Sequence, residues 1–354
     1  MESVDWSETD LQLVHALQIH PRAPWSLVGE VLGVSPATVA RRWARLNEGG
    51  LAWVTGYRPY GPKNPDDPAV AMVVARCLPA RMAALAAELA AHPECIAVEI
   101  VSGSGDLVLF VATADREALV DYLLGRFAAL DGLLPFRTLW VTGFFTEGSR
   151  WRLQALTREQ ARVLSTKAGP RAALAGPSPG RADPLGERIT DLLAEDGRMP
   201  YTVLAERAGA SEPTVRRKLR ALLESGRLAL RCDLAPEAAG RPVFLAVTVR
   251  VPADRMEATG RALAQLPGIR LVATVVGDAD LCASFWLPTI ADVHRLERIL
   301  LEKLPDLQLV DRLVGMRSVK RVGRLLDASG RLRRTVGESR GLPLSGGHAD
   351  TGSA

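Results

Sequence analysis

The 354 residues carry 44 Lys and Arg against 40 Asp and Glu, a formal net charge of +4, with 47% hydrophobic and 24% charged residues. That length exceeds one ordinary domain of roughly 100 to 200 residues, and the composition is globular rather than disordered. The excess of positive charge is too small to argue alone for a polyanionic partner, so the placement of the basic residues matters more than their sum.

The acidic start, MESVDWSETD, and the lack of any run of 18 apolar residues predict a cytoplasmic protein without a membrane partner. Cys77, Cys95, Cys232 and Cys282 lack CxxC spacing and read as buried free thiols, and the five histidines lack metal-ligand spacing. No metal or other cofactor is expected.

Residues 1–60 read as a helix-turn-helix DNA-binding domain. Leu11, Val14, Leu17 and Gln18 have helical spacing, and a second short helix is predicted from Trp25 to Leu32. Gly33 offers a turn with positive φ, and Ser35 is a good N-cap for a third helix running to Glu48. At 100° per residue Val39, Trp43 and Leu46 form its buried stripe, which leaves Arg41 facing away with Thr38 and Arg45 beside it. Arginine forks suit phosphate oxygens and guanine edges, and small residues at the helix start allow close approach to a groove.

Residues 68–150 read as a second module. AVAMVVARC is a strand, PARMAALAAELAAHP a helix, CIAVEIVSG and DLVLFVAT strands, DREALVDYLLGRFAAL a helix and FRTLWVTGFF a strand. The order β-α-β-β-α-β is that of the ferredoxin-like split unit, and the fold class is α+β. Residues 157–183 form a linker whose first part can extend a helix and whose AGPSPG segment cannot.

Both modules then recur. Thr9–Gly50 matches Leu185–Gly226 without a gap at an offset of 176, as in Ser35 and Ser211, so 184–235 is a second helix-turn-helix domain. A second correspondence, at an offset of 174 as in Gly103 and Gly277, makes 241–328 a second ferredoxin-like module. Residues 331–354 are Gly, Ser and Arg rich and read as a disordered tail. A ferredoxin-like sheet has helices on one face only, so the two sheets are expected to cover each other's bare faces, within one chain or between copies. Helix faces are left for self-association.

The central hairpins repeat as GSGD, Gly103, Ser104 and Asp106, and as GDAD, Gly277, Asp278 and Asp280. Two readings stay open. In one, glycine and aspartate build a tight turn in which the carboxylate accepts local N–H groups. In the other, the loops rim a small-molecule site, with amides on a carboxylate and Asp on an ammonium.

This order of modules, with Gly-x-x-Asp in the central hairpin, resembles the Lrp/AsnC family of transcriptional regulators over nearly the whole chain, twice. The resemblance implies binding of double-stranded DNA through Ser35, Thr38, Arg41, Arg42 and Arg45 and through Ser211, Thr214, Arg216, Arg217, Lys218 and Arg220. It also implies an amino-acid-like effector near Gly103, Ser104, Asp106, Gly277, Asp278 and Asp280, and assembly into dimers or larger forms. The duplication departs from the family's usual single unit and suggests a fused dimer. The sirohaem decarboxylases resemble the same fold and supply the alternative, an enzyme. Their resemblance implies His and Arg in the central strands, and VSGSGDLVLF and VVGDADLCAS have neither.

Overall fold

The computed structural model describes residues 6–59, 68–168 and 183–333. A capping box starts α1 (Glu8–Ile19), in which Ser7 Oγ accepts from Asp10 N at 3.2 Å and the Asp10 carboxylate accepts from Ser7 N at 3.1 Å. α2 (Trp25–Leu32) ends on Gly33 at φ 68°, and α3 (Pro36–Glu48) starts where Ser35 Oγ accepts from Thr38 N at 3.1 Å. Val39, Trp43 and Leu46 are its buried residues, as the helical phase requires. β1 (Ala52–Tyr57) leaves this unit.

The first ferredoxin-like module contains β2 (Ala69–Cys77), α4 (Met82–Ala91), β3 (Cys95–Ser102), β4 (Leu107–Thr113), α5 (Arg116–Tyr122) and β5 (Leu133–Thr146). The helix expected from 115 to 130 changes after Tyr122 into one wider turn, Leu123–Phe127. The segment read as a linker opens with α6 (Arg158–Ala168), which buries Leu164 against the first helix-turn-helix unit and donates from Gln160 Nε2 to Val31 O at 2.9 Å. The AGPSPG stretch lies outside the described residues.

The second half follows the same plan: α7 (Pro184–Glu195), α8 (Tyr201–Ala208), α9 (Glu212–Glu224), β6 (Ala229–Leu234), β7 (Val243–Arg250), α10 (Met256–Leu263), β8 (Ile269–Val276), β9 (Leu281–Leu287), α11 (Asp292–Lys303) and β10 (Gln308–Arg321), closed by a short β11 (Arg324–Leu325). Gly209 at φ 67° and Ser211 repeat the turn and the cap. The tail begins later than 331, because Leu332 bridges Leu326 and donates its N–H to Gly50 O at 2.8 Å. Residues 334–354 lie outside the described region. All four cysteines are buried and free.

Each module makes a four-stranded antiparallel sheet, and two 14-residue strands join the sheets. β5 pairs with β2 through its first part and with β8 from Trp140 onward, whereas β10 pairs with β7 up to Val314 and with β3 beyond it. Eight strands therefore close into a ring with no open edge. β5 runs longer than FRTLWVTGFF suggested, and β10 matches its length, because each serves both sheets. Helices cover the outside, and Val70, Met72, Leu139, Val275 and Leu313 are buried inside. The sheets thus cover each other within one chain.

The helix-turn-helix units are also joined. β1 pairs antiparallel with β6, with Thr55 opposite Arg231, its own equivalent at the offset of 176. A pseudo-two-fold axis therefore passes through this pair, and the strand beside each unit is shared with the other copy. Arg22 donates to Gly197 O at 2.8 Å and Met199 O at 2.9 Å, and its equivalent Arg198 donates to Pro21 O at 2.6 Å and Ala23 O at 2.9 Å. Arg22 lies over Tyr201 and Arg198 over Trp25. Arg198→Ala leaves two carbonyls unpaired and removes one stacking contact, so a loss of about 2 kcal/mol is expected in denaturant unfolding.

A strap of residues crosses α1 beyond β5. Gln18 Oε1 accepts from Leu153 N at 2.8 Å, and His15 Nδ1 accepts from Ala155 N at 3.2 Å and Leu156 N at 3.1 Å. Burial, with the nearby Arg152 cation, lowers His15 to about 4. The native state therefore holds the neutral ring, and the unfolded chain takes up a proton first as pH falls. The stability contributed above pH 6.5 is lost as pH drops toward 4, by on the order of 2 kcal/mol. Comparing urea unfolding of the parent and His15→Asn at pH 7 and pH 4.5 checks this, and the variant's stability is expected to depend less on pH.

Candidate functional site

α3 and α9 present the two candidate DNA faces. Ser35 and Ser211 cap them, and each cap hydroxyl meets that of Thr38 or Thr214 at 2.9 Å. Arg41, Arg217 and Arg220 are exposed, and none of them enters an ion pair among the described residues.

The other basic residues of these faces already hold anions. Arg42 donates to Ser7 Oγ at 3.0 Å and Asp10 Oδ1 at 3.1 Å, and Arg45 pairs with Asp10 Oδ2 at 2.5 Å. Lys218, the equivalent of Arg42, pairs with Asp183, the N-cap of α7 and the equivalent of Ser7. Arg216 pairs with Glu212 at 2.6 Å and lies over Tyr201. Burial alone would raise the Asp10 carboxyl, but the Ser7 hydrogen bonds and the two arginines together lower it below its ordinary range.

This pairing explains a difference between the copies. Where the first has Asp10 with Arg45, the second has Gly186 with Ala221. Arg45→Ala is expected to lower stability by about 1 kcal/mol, because buried Asp10 loses one of two cations, whereas Arg41→Ala stays within about 0.5 kcal/mol of the parent. Denaturant unfolding of both variants checks the contrast.

The Gly-x-x-Asp loops close one end of the barrel. Asp106 accepts from Cys77 N and Asp280 from Val251 N, both at 2.9 Å, so both carboxylates serve the backbone. Of the two readings left open, this geometry supports the turn. Gly103 takes φ 134°, and Gly277 sits beside Thr138 and Leu139. Ser104 and Asp278 are exposed and meet at Arg137, which pairs with Asp278 Oδ2 at 3.1 Å and also with Asp311 and Ser104. Arg137 and Asp311 are themselves equivalents, 174 residues apart. Identical subunits would place like residues there.

A cavity of about 150 Å³ lies at the other end, between the barrel interior and the β1–β6 ribbon. It straddles the pseudo-axis, because equivalent positions line it in pairs: Val70 with Phe244, Ile96 with Arg270, Phe110 with Ser284, and Glu147 with Arg321. Three of these pairs set unlike residues against each other, an apolar residue against Arg270 or Ser284 and a carboxylate against Arg321. Tyr57 from β1 and Arg231 from β6 complete its wall on the side of the helix-turn-helix units.

Three arginines converge behind the apolar wall. Asp233 accepts from Arg231 at 2.8 Å and from Arg270 at 2.9 Å, and Arg270 stacks between Trp151 at 4.6 Å and Trp286 at 3.9 Å. Arg321 lies over Trp286 and donates from Nη2 to Ser318 Oγ at 2.9 Å, while its Nη1 is buried without a partner. Ser318 Oγ lies 2.6 Å from both Glu99 oxygens but can donate to only one.

Burial pushes the Glu99 carboxyl up, partly offset by Arg321. Burial would also raise Asp233, but the three arginines outweigh it and hold that carboxyl low. Burial lowers Arg270 to about 9, with Arg231 adding to the shift, and it remains cationic at neutral pH. The arginines absent from the two central hairpins are thus supplied to this cavity by β6, β8 and β10.

Residues 7–47 and 183–223 match the AsnC-type helix-turn-helix domain, and residues 70–149 match the Lrp/AsnC ligand binding domain. An uncharacterized HTH-type transcriptional regulator of Pyrococcus abyssi is 30% identical over 34% of this chain and 76% of its own length. The chain belongs to the Lrp/AsnC family.

As a member of that family it is a DNA-binding transcriptional regulator with a small-molecule ligand domain. The HTH-type transcriptional regulator LysM of Saccharolobus solfataricus is 24% identical over 30% of this chain and 75% of its own. The siroheme decarboxylase NirDL superposes on 89% of this chain and 93% of its own with a TM-score of 0.56 at 14% identity, a likeness of fold. No described helix is long and apolar enough to cross a membrane.

Proposed function

We propose that one chain of this Lrp/AsnC regulator reads an operator with two unlike half-sites, its α3 and α9 entering successive major grooves roughly 34 to 36 Å apart. The observation that carries this reading is the junction of the two helix-turn-helix units, the β1–β6 ribbon with the reciprocal Arg22 and Arg198 clamps. It fixes the two helices about one axis while their outer faces differ, Ala37 against Pro213 and Arg41 and Arg217 shared. Arg41 and Arg217 are the proposed base contacts, and Arg220 adds to the second face. Arg42, Arg45, Arg216 and Lys218 are assigned supporting phosphate contacts, made through the donors that their carboxylate partners leave free.

Site selection with randomised duplexes tests this. The strongest site is expected to be an imperfect palindrome, and a perfect one sinks the reading. Arg41→Ala or Arg217→Ala is expected to cost about 1 to 3 kcal/mol and to relax preference at one base pair, whereas a phosphate contact would weaken all sequences alike.

We assign the chain no catalytic step, and a cytoplasmic site of action accords with a DNA partner. The enzymatic reading draws on the superposition with NirDL, whose structure is also known with an iron-uroporphyrin III analogue, and on the buried arginines. Against it, no histidine lines the cavity among the described residues. Titration with an iron uroporphyrin and an absorbance readout separates the two. Because the strand ring has no open edge, further self-association is assigned to the outer helices, and light scattering reads it directly.

A further inference from the structure

The cavity on the pseudo-axis belongs neither to the DNA faces nor to the Gly-x-x-Asp loops. Its polar end is built around Arg321, which is 6% exposed. Ser318 takes one guanidinium nitrogen and Trp286 covers the face, yet Nη1 is buried with no acceptor. A buried donor left unpaired is costly, so an acceptor arriving there gains more than it would at the surface. A carboxylate is the acceptor that an arginine fork fits best.

The rest of the wall sets the body of the ligand. Val70, Val108, Phe110, Phe144 and Phe244 form its apolar part, while Arg231 and Arg270 are engaged by Asp233 and Glu99 by Ser318. A dry apolar cavity of about 150 Å³ takes a molecule such as benzene, so the volume here suits one ring and a short acid arm. The cavity also touches, through Tyr57 and Arg231, the strands that directly follow α3 and α9.

We propose that this cavity binds one small carboxylate bearing a single apolar ring per chain, with the carboxylate on Arg321 and the ring among Phe110, Phe144 and Phe244, and that its occupancy changes operator affinity. One site per chain follows from its place on the axis, where equivalent positions of both halves share one space. The second half brings the cations Arg231, Arg270 and Arg321 to that space, and the first half brings the carboxylates Glu99 and Glu147. The link to operator affinity rests on the regulator reading, whereas ligand binding itself does not.

Calorimetry on the full chain with 3-phenylpropionate, and with 2-phenylethylamine as the same ring without the acid, tests binding. The acid is expected to bind with a stoichiometry of one, and the amine is not. Arg321→Met is expected to weaken the acid at least about tenfold. Because that variant can also loosen the barrel, Glu99→Gln is the second arm. It keeps the Ser318 contact and removes a negative charge, so it is expected to tighten the acid severalfold, which a merely structural lesion does not do. No binding of the acid, equal binding of the amine, or unchanged or weaker binding in Glu99→Gln overturns the proposal. Operator affinity measured with and without the acid keeps the outcomes apart. Loss of DNA binding in the absence of any ligand sinks the regulator reading alone, and DNA binding indifferent to a bound acid overturns the coupling.

Discussion

A four-stranded sheet with helices on one side has an apolar face it cannot hide, and everything else in this molecule follows from how that face is covered. Two such sheets in one chain meet face to face, and β5 and β10 extend past their own sheets to pair with the other. Burial of Val70, Met72, Leu139, Val275 and Leu313 supplies the driving force, and the shared strands fix the register. Once the ring is closed, the two helix-turn-helix units have no freedom to choose partners. They emerge on the same side, and β1 and β6 pair across the axis.

Fusion changes what such an axis can hold. In a true homodimer a residue on the two-fold meets its own copy, so a cation there faces a cation. Here Arg137 meets Asp311, and Thr55 lies opposite Arg231. The duplication has released these positions from self-complementarity. The same release lets Asp10 and Arg45 exist as a pair in one copy while Gly186 and Ala221 replace both in the other, with no charge left unpaired in either. It also lets a shared cavity take arginines from one half and carboxylates from the other.

Much of this was legible in the residues. Gly33 and Ser35, with Gly209 and Ser211, mark turn and cap through local chemistry, and Val39, Trp43 and Leu46 mark the buried stripe through the helical period. The order of strands and helices in each module was readable from periodicity for the same reason. Local rules could not say which arginines of α3 and α9 were free. Arg42 and Arg45 are held by Asp10, more than 30 residues earlier in the sequence, and only the packing of α1 against α3 brings them together. The reach of β5 and β10 was hidden because pairing with the other sheet leaves no mark on either strand alone.

The cavity was missed for a related reason, though a signal was present. Arg270 sits in IRLVATVV, and Arg231 with Asp233 in LRCDL, charges inside runs that otherwise read as buried strand. A charge in such a run must find a partner or a purpose, since desolvation without either is not tolerated. Asp233 satisfies Arg231 and Arg270 together, and the tryptophan faces cover Arg270. That accounting leaves Arg321. Its position matches Glu147 in the first copy, so the two halves place opposite charges at one site on the axis. An arrangement serving only to close the barrel would pair them, as Arg137 and Asp311 are paired at the far end. At this end Glu147 is taken up by Ser149, and Arg321 keeps one buried donor without a partner beside the cavity. The two ends of the axis thus show the same device used in opposite ways, one sealed by its ion pair and the other held open.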